Sequence, residues 1–110
     1  MPKQQQKIDH IFHALGDATR VAVVERLSRG PAPVGELARP FRMALPSFTQ
    51  HLGVLEKSGL VRSAKTGRVR TYFLVPENLK SAQSWLKNQR KMWEKRLDQL
   101  DSYLQTIKEK

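Results

Sequence analysis

The chain is predicted to be mainly α-helical with one small β-hairpin, and three observations predict it. Apolar residues recur at helical spacing in several separate stretches. One pair of β-rich runs, Leu60-Val61-Arg62-Ser63-Ala64 and Val69-Arg70-Thr71-Tyr72-Phe73-Leu74-Val75, brackets Lys65-Thr66-Gly67-Arg68, a hairpin signal in which Gly67 supplies positive φ. Beyond Pro76, residues 81–107 contain neither Gly nor Pro and read as one long helix.

The composition bounds the rest. At 110 residues without cysteine, the chain holds one small domain with a single core, and neither a disulfide nor a thiolate metal site can form. Its longest apolar run, Val21-Ala22-Val23-Val24, is far too short to cross a bilayer, and no signal-peptide pattern precedes the domain. The expectation is a soluble protein, cytoplasmic and nucleoid-associated, with no membrane partner. Twenty Lys and Arg stand against ten Asp and Glu, a net charge of +10, so the surface field favours polyanions. Distribution sharpens this: between residues 61 and 80, Arg62, Lys65, Arg68, Arg70 and Lys80 face a lone acid, Glu77. The basic residues of 87–96 are followed by Asp98 and Asp101 and interleaved with Glu94, as on a solvated helix face.

Taken in order, residues 1–7 are polar, lack periodicity and read as a mobile arm. Apolar residues at 8, 11, 12 and 15 make one face of a first helix, stopped by Gly16. Asp17 caps a second helix over 18–29, with Val21, Val24 and Leu27 toward the core and Arg20, Glu25 and Arg26 in water. Gly30-Pro31 ends it. A short polar helix over 34–39 then leads through a tight connection at 40–44 to a helix over 45–58, running into Gly59. In that helix Phe48, Leu52 and Leu55 form an apolar stripe, whereas Ser47, Thr49, Gln50 and Gly53 point elsewhere. Two short helices joined tightly, with a small uncharged polar face at the start of the second, make a helix-turn-helix, and the basic hairpin after it is the wing of a winged helix.

The last helix, residues 81–107, would be roughly 40 Å long at 1.5 Å per residue, more than one small domain can cover. Trp93, Leu97, Leu100, Leu104 and Ile107 are spaced by 4, 3, 4 and 3 residues, the 3.5-residue repeat of a coiled-coil-like seam. Continued backwards the seam meets Arg90 and Leu86, and Trp85 and Met92 are expected to pack on the domain. The stripe either covers the chain's own core or pairs with a second copy; pairing explains how one domain serves a two-fold DNA site. The division expected is therefore an arm at 1–7, a winged helix-turn-helix at 8–80 and a dimerisation helix at 81–110.

With that order of elements, the sequence resembles the ArsR family of bacterial winged-helix repressors. The resemblance rests on Phe12-His13-Ala14-Leu15-Gly16-Asp17-Ala18-Thr19-Arg20, Gly35-Glu36-Leu37-Ala38, Gln50-His51-Leu52-Gly53-Val54-Leu55-Glu56-Lys57-Ser58-Gly59-Leu60-Val61 and Gly67-Arg68-Val69-Arg70, spanning most of the chain. Metal-sensing members carry paired cysteines after the Glu-Leu of the third helix; this chain has Ala38 and Arg39, and residues 81–107 contain no His for the family's other site. The resemblance is thus to a branch without metal-binding residues, and no metal or cofactor is expected. Ala44 stands where members often place a Ser cap, a change of about 1 kcal/mol that Pro46 in the first turn partly offsets.

The functional expectation is a homodimeric regulator, a repressor on a pseudo-palindromic duplex operator. Pro46, Ser47, Thr49 and Gln50 are placed at base edges, Gln pairing bidentately with adenine and Pro46 touching a thymine methyl. Arg62, Lys65, Arg68 and Arg70 of the wing serve phosphates or the minor groove, with Arg42 and Lys57 as further phosphate contacts and His51 as a phosphate or structural contact. His10 and His13, three apart, are two ligands rather than a metal site. No Ser-His-Asp order, phosphate loop or carboxylate pair points to catalysis, so no enzyme is expected. Control is assigned to an organic effector between the first and last helices, a partner protein or the amount of repressor. A protein-interaction module and a nonspecific nucleoid-binding protein stay open as alternatives.

Overall fold

The computed structural model describes residues 3–109. Helix α1, Lys3–Leu15, starts five residues earlier than the apolar spacing indicated, so residues 3–7 of the expected arm belong to the helix, and residues 1 and 2 lie outside the described ones. Ile11 and Ala14 of α1 are fully buried, with Phe12 and Leu15 packed beside them. Asp17 then caps α2, Ala18–Leu27, accepting from the backbone amides of Thr19 at 2.9 Å and Arg20 at 3.2 Å, which satisfies two of the donors a helix start leaves open. Val23 and Leu27 carry the core face of α2 with Val24 beside them. Val23, not Val21, is the buried position, because at about 100° per residue Val23 lies about 40° around the helix from Leu27 and Val21 about 120°. Arg20 is drawn in from the water expected for it.

A two-residue strand that the sequence did not announce follows, β1 at Ala32–Pro33. Helix α3, Val34–Ala38, leads to α4, Leu45–Ser58, which has the bounds expected of it. The back of α4 is the centre of the core: Phe48, Leu52 and Leu55 have no exposed surface, and the Phe48 ring lies 5.4 Å from that of Phe41 in the connection. Gly59 ends α4 at φ 84°, a left-handed conformation that side chains resist. A Cβ there would also stand 2.9 Å from Asn78 Nδ2, whose amide donates to the Gly59 carbonyl.

Strands β2, Val61–Thr66, and β3, Val69–Leu74, form the hairpin, and β1 adds to the other edge of β3, giving an antiparallel sheet of order β1-β3-β2. Thr66 pairs with Val69, so the turn itself is only Gly67-Arg68. Gly67 has φ 63° and Arg68 a negative φ, the pattern of a type II′ turn with Gly in first place. Pro33 in β1 fits because an edge strand need not donate outward.

The chain closes with α5, Glu77–Glu109, 33 residues and about 50 Å long. Ala82 is buried, Leu79 packs on the core, and the Trp85 ring meets Phe12 edge-on at 5.5 Å. Asn88 still borders α1 at Ile8, and from residue 90 onward every described residue of the helix is exposed. Met92, expected to pack on the domain, is instead 49% exposed. The protein measures 74 × 31 × 25 Å with a radius of gyration of 19.8 Å, against about 13 Å for a globule of this length.

Candidate nucleic-acid interface

Burying Phe48, Leu52 and Leu55 turns the opposite side of α4 to solvent. Pro46, Ser47, Thr49, Gln50 and Gly53 are all exposed there, so the four side chains expected at base edges do share one accessible surface over the first turn and a half. The Thr49 hydroxyl donates to the Pro46 carbonyl at 2.9 Å, which leaves it an acceptor toward solvent. Ala44, at φ −62° and ψ 145°, gives no side-chain cap. The first α4 amides therefore stay open at the positive end of the helix dipole.

His51 is not on that surface. Its ring is half-buried between α4 and the start of α2, with Nδ1 2.9 Å from an Arg20 Nη and 3.7 Å from Asp17 Oδ2. A guanidinium only donates, so Nδ1 accepts and the ring proton sits on Nε2. The same guanidinium donates to the carbonyls of Ala14 at 2.7 Å and His13 at 3.2 Å. One arginine thus ties the end of α1 to the recognition helix. Burial pushes the Asp17 carboxyl upward, but the Arg20 and Thr19 amides and the Arg20 charge outweigh it and hold the carboxyl below its usual range.

The wing cations divide by the register of the hairpin. Ser63 pairs with Tyr72 and Lys65 with Arg70, and residues two apart share a face, so Lys65 and Arg70 lie on the side that carries Ser63 and Tyr72 toward α4. Arg62, opposite Phe73, is on the other side, and Arg68 is at the tip. All four are exposed. Arg70 is partly turned inward, donating to the Ser63 hydroxyl at 2.9 Å. Arg42 is exposed in the connection before α4, whereas Lys57 borders a hollow of about 250 Å³ with His10, His13 and Val54 on the α1 side.

The helix-turn-helix domain family matches residues 15–64. A solved ArsR family transcriptional regulator is 50% identical, with a TM-score of 0.80 over 86% of this chain and 97% of that one. This chain belongs to the ArsR family of transcriptional regulators. The HTH-type transcriptional regulator Rv2034 of Mycobacterium tuberculosis is 46% identical over 71 residues, 64% of this chain and 66% of the relative. The solved transcriptional repressor BigR of Xylella fastidiosa is 30% identical, with a TM-score of 0.60 over 74% and 81% of the two chains. The protein is accordingly a DNA-binding regulator and not an enzyme.

Within this ArsR family chain, sequence reasoning missed the residues that hold the interface in place: Arg20 behind α4, and Glu56, Ser63 and Tyr72 between α4 and the hairpin. The signal for the second group was available, since a two-residue turn at Gly67 fixes the register that sets Ser63 opposite Tyr72. For Arg20 no periodicity marks a polar side chain folded back over a helix end. Among the described residues no three His, Asp or Glu side chains gather as metal ligands, and the Lys57 ammonium beside His10 and His13 opposes a cation there. No described helix is long and apolar enough to cross a membrane.

Proposed function

We propose that the protein is a homodimeric repressor that reads a pseudo-palindromic operator. The observation that carries this is the pairing of an exposed, uncharged polar face on α4 with an exposed basic wing, both footed on one buried core. Gln50 presents an amide suited to adenine, Ser47 a hydroxyl of either sense, Thr49 an acceptor, and Pro46 an apolar edge for thymine. Arg42, Arg62, Lys65 and Arg68 take phosphates or the minor groove, and the open amides at the start of α4 suit a phosphate as well. His51 serves as a structural tie, and Lys57 and Arg70 are secondary. Dimerisation is supported by the stripe on α5, where Trp93 is 67%, Leu97 59% and Leu100 50% exposed, with Leu104 and Ile107 continuing it; such a row in water favours a matching row. Repression is supported by the likeness to a repressor.

Control by metal ions is not part of this reading, for want of ligands. A hollow of about 330 Å³ between α1 and α5, bordered by Ile8, Lys80, Ser84, Trp85 and Asn88, is the place for an organic effector, being of the size small ligands use. The test is selection of bound fragments from a random duplex library, followed by titration. The expected result is an inverted repeat bound at least about a thousandfold more tightly than random duplex. Operator and random DNA bound within a few-fold of each other would instead indicate a nonspecific nucleoid protein, and no salt-sensitive duplex binding would indicate a protein-interaction module.

A further inference from the structure

Glu56 is an exposed acid on the recognition helix, beside a surface offered to a polyanion, where charge alone makes it a liability. Its carboxylate is engaged. The Ser63 hydroxyl of β2 donates to Glu56 Oε2 at 3.2 Å, Arg70 of β3 donates to that same hydroxyl at 2.9 Å, and Tyr72 of β3, directly opposite Ser63, is buried beside them. One point thus joins α4 to both strands. Every residue from Ala64 to Arg70 is exposed, so this is the last footing of the hairpin before its tip.

We infer that Glu56 is a positioning residue that sets the angle of the wing to the recognition helix, and so selects which phosphates the wing meets while α4 reads its bases. The lever is long. From Ser63 to Gly67 is about 13 Å of strand, so a swing of about 15° moves the tip about 3 Å, enough to break a hydrogen bond. The charge reaches Tyr72 as well: desolvation, then the Glu56 carboxylate, raise the Tyr72 hydroxyl above the ordinary tyrosine range against the pull of Arg70.

The inference rests on the DNA-reading proposal, and the sign of one effect separates it from plain electrostatics. Removing an acid near DNA should tighten operator and random duplex equally if Glu56 acts only as a charge. A positioning role predicts that Glu56→Ala lowers the operator-to-random ratio by at least about tenfold, the order of one mismatched base pair, while random DNA binds as well or better. Glu56→Gln keeps an acceptor for Ser63 and should hold the ratio within about twofold of wild type. Ser63→Ala should lose discrimination in the same direction and carries the test if Glu56→Ala melts early. In a Tyr103→Phe background, tyrosinate absorbance should show Tyr72 ionising at lower pH in Glu56→Ala, which reports whether the contact exists. Unchanged ratios in Glu56→Ala and Ser63→Ala, or a loss in Glu56→Gln equal to that in Glu56→Ala, would overturn the inference with DNA reading intact. A wild-type protein that does not discriminate would instead overturn the DNA reading, and the inference with it.

Discussion

The double substitution Leu97→Asp with Leu100→Asp tests the assembly on which a two-fold operator depends. Leu97 and Leu100 are 59% and 50% exposed in the protomer. At about 2 kcal/mol for full burial of a leucine side chain, covering what remains stabilises by about 1 kcal/mol at each position. Two positions in two protomers make this about 4 kcal/mol, or about a thousandfold in dimer affinity. Four carboxylates in the same seam add a desolvation cost, so the loss should exceed that figure. Sedimentation equilibrium over a range of concentrations should show wild-type dimer and variant monomer, with the core amides of Phe48, Leu52 and Leu55 keeping their protection from hydrogen exchange. A variant dimer of unaltered affinity would refute the seam and leave the stripe to another partner.

Other expected outcomes follow from the interface and its anchors. Arg68→Ala should weaken operator and random duplex by similar factors and flatten the slope of log affinity against log salt by about 0.9 per lost contact, whereas Gln50→Ala should cost about 1–3 kcal/mol at one base position per half-site and leave the slope alone. If the two variants behave alike, reading and anchoring are not divided as proposed. Asp17 has a folded-state pKa below its unfolded value, so its contribution is complete above about pH 4 and lost as pH falls through the folded value. Asp17→Asn keeps a capping oxygen without that titration, and its melting temperature should fall less steeply than wild type below about pH 4; parallel curves would remove the linkage. Titration with zinc, cadmium, arsenite or a chelator should change operator affinity less than about twofold, and a tenfold release abolished by His10→Ala or His13→Ala would make that pair a sensor.

What could be read from the sequence depended on whether a residue's role was local. Helix α4 was legible to its bounds because its apolar stripe, Pro46 and Gly59 are all internal signals. The hairpin was legible as a hairpin, but assigning four residues to its turn instead of two hid the pairing of Ser63 with Tyr72 and the split of the wing cations between faces. Strand β1 carries no signal of its own: two residues, one of them proline, become a strand only because β3 offers an edge. Val21 was chosen over Val23 because a spacing of three leads back from Leu27 through Val24 to Val21, whereas the buried pair, Val23 and Leu27, is four apart. Arg20 and His51 were misplaced or undecided for a similar reason, since their partners lie 31 residues apart in the chain.

The recognition helix ends at Gly59, and Asn78, in the first turn of α5, binds that same glycine's carbonyl. From there to Ile107 no glycine or proline interrupts the helix, so in the proposed dimer the DNA-reading end and the pairing end are meshed like parts on one shaft. Adding a single residue between Ala82 and Trp93 would advance the stripe by 1.5 Å but turn it through about 100°. A flexible linker would forgive such an insertion; this shaft does not. The distance and rotation between the two recognition helices are then written in helical phase, and relatives whose terminal helix differs there by one or two residues should pair with a different offset, on operators of a different half-site spacing.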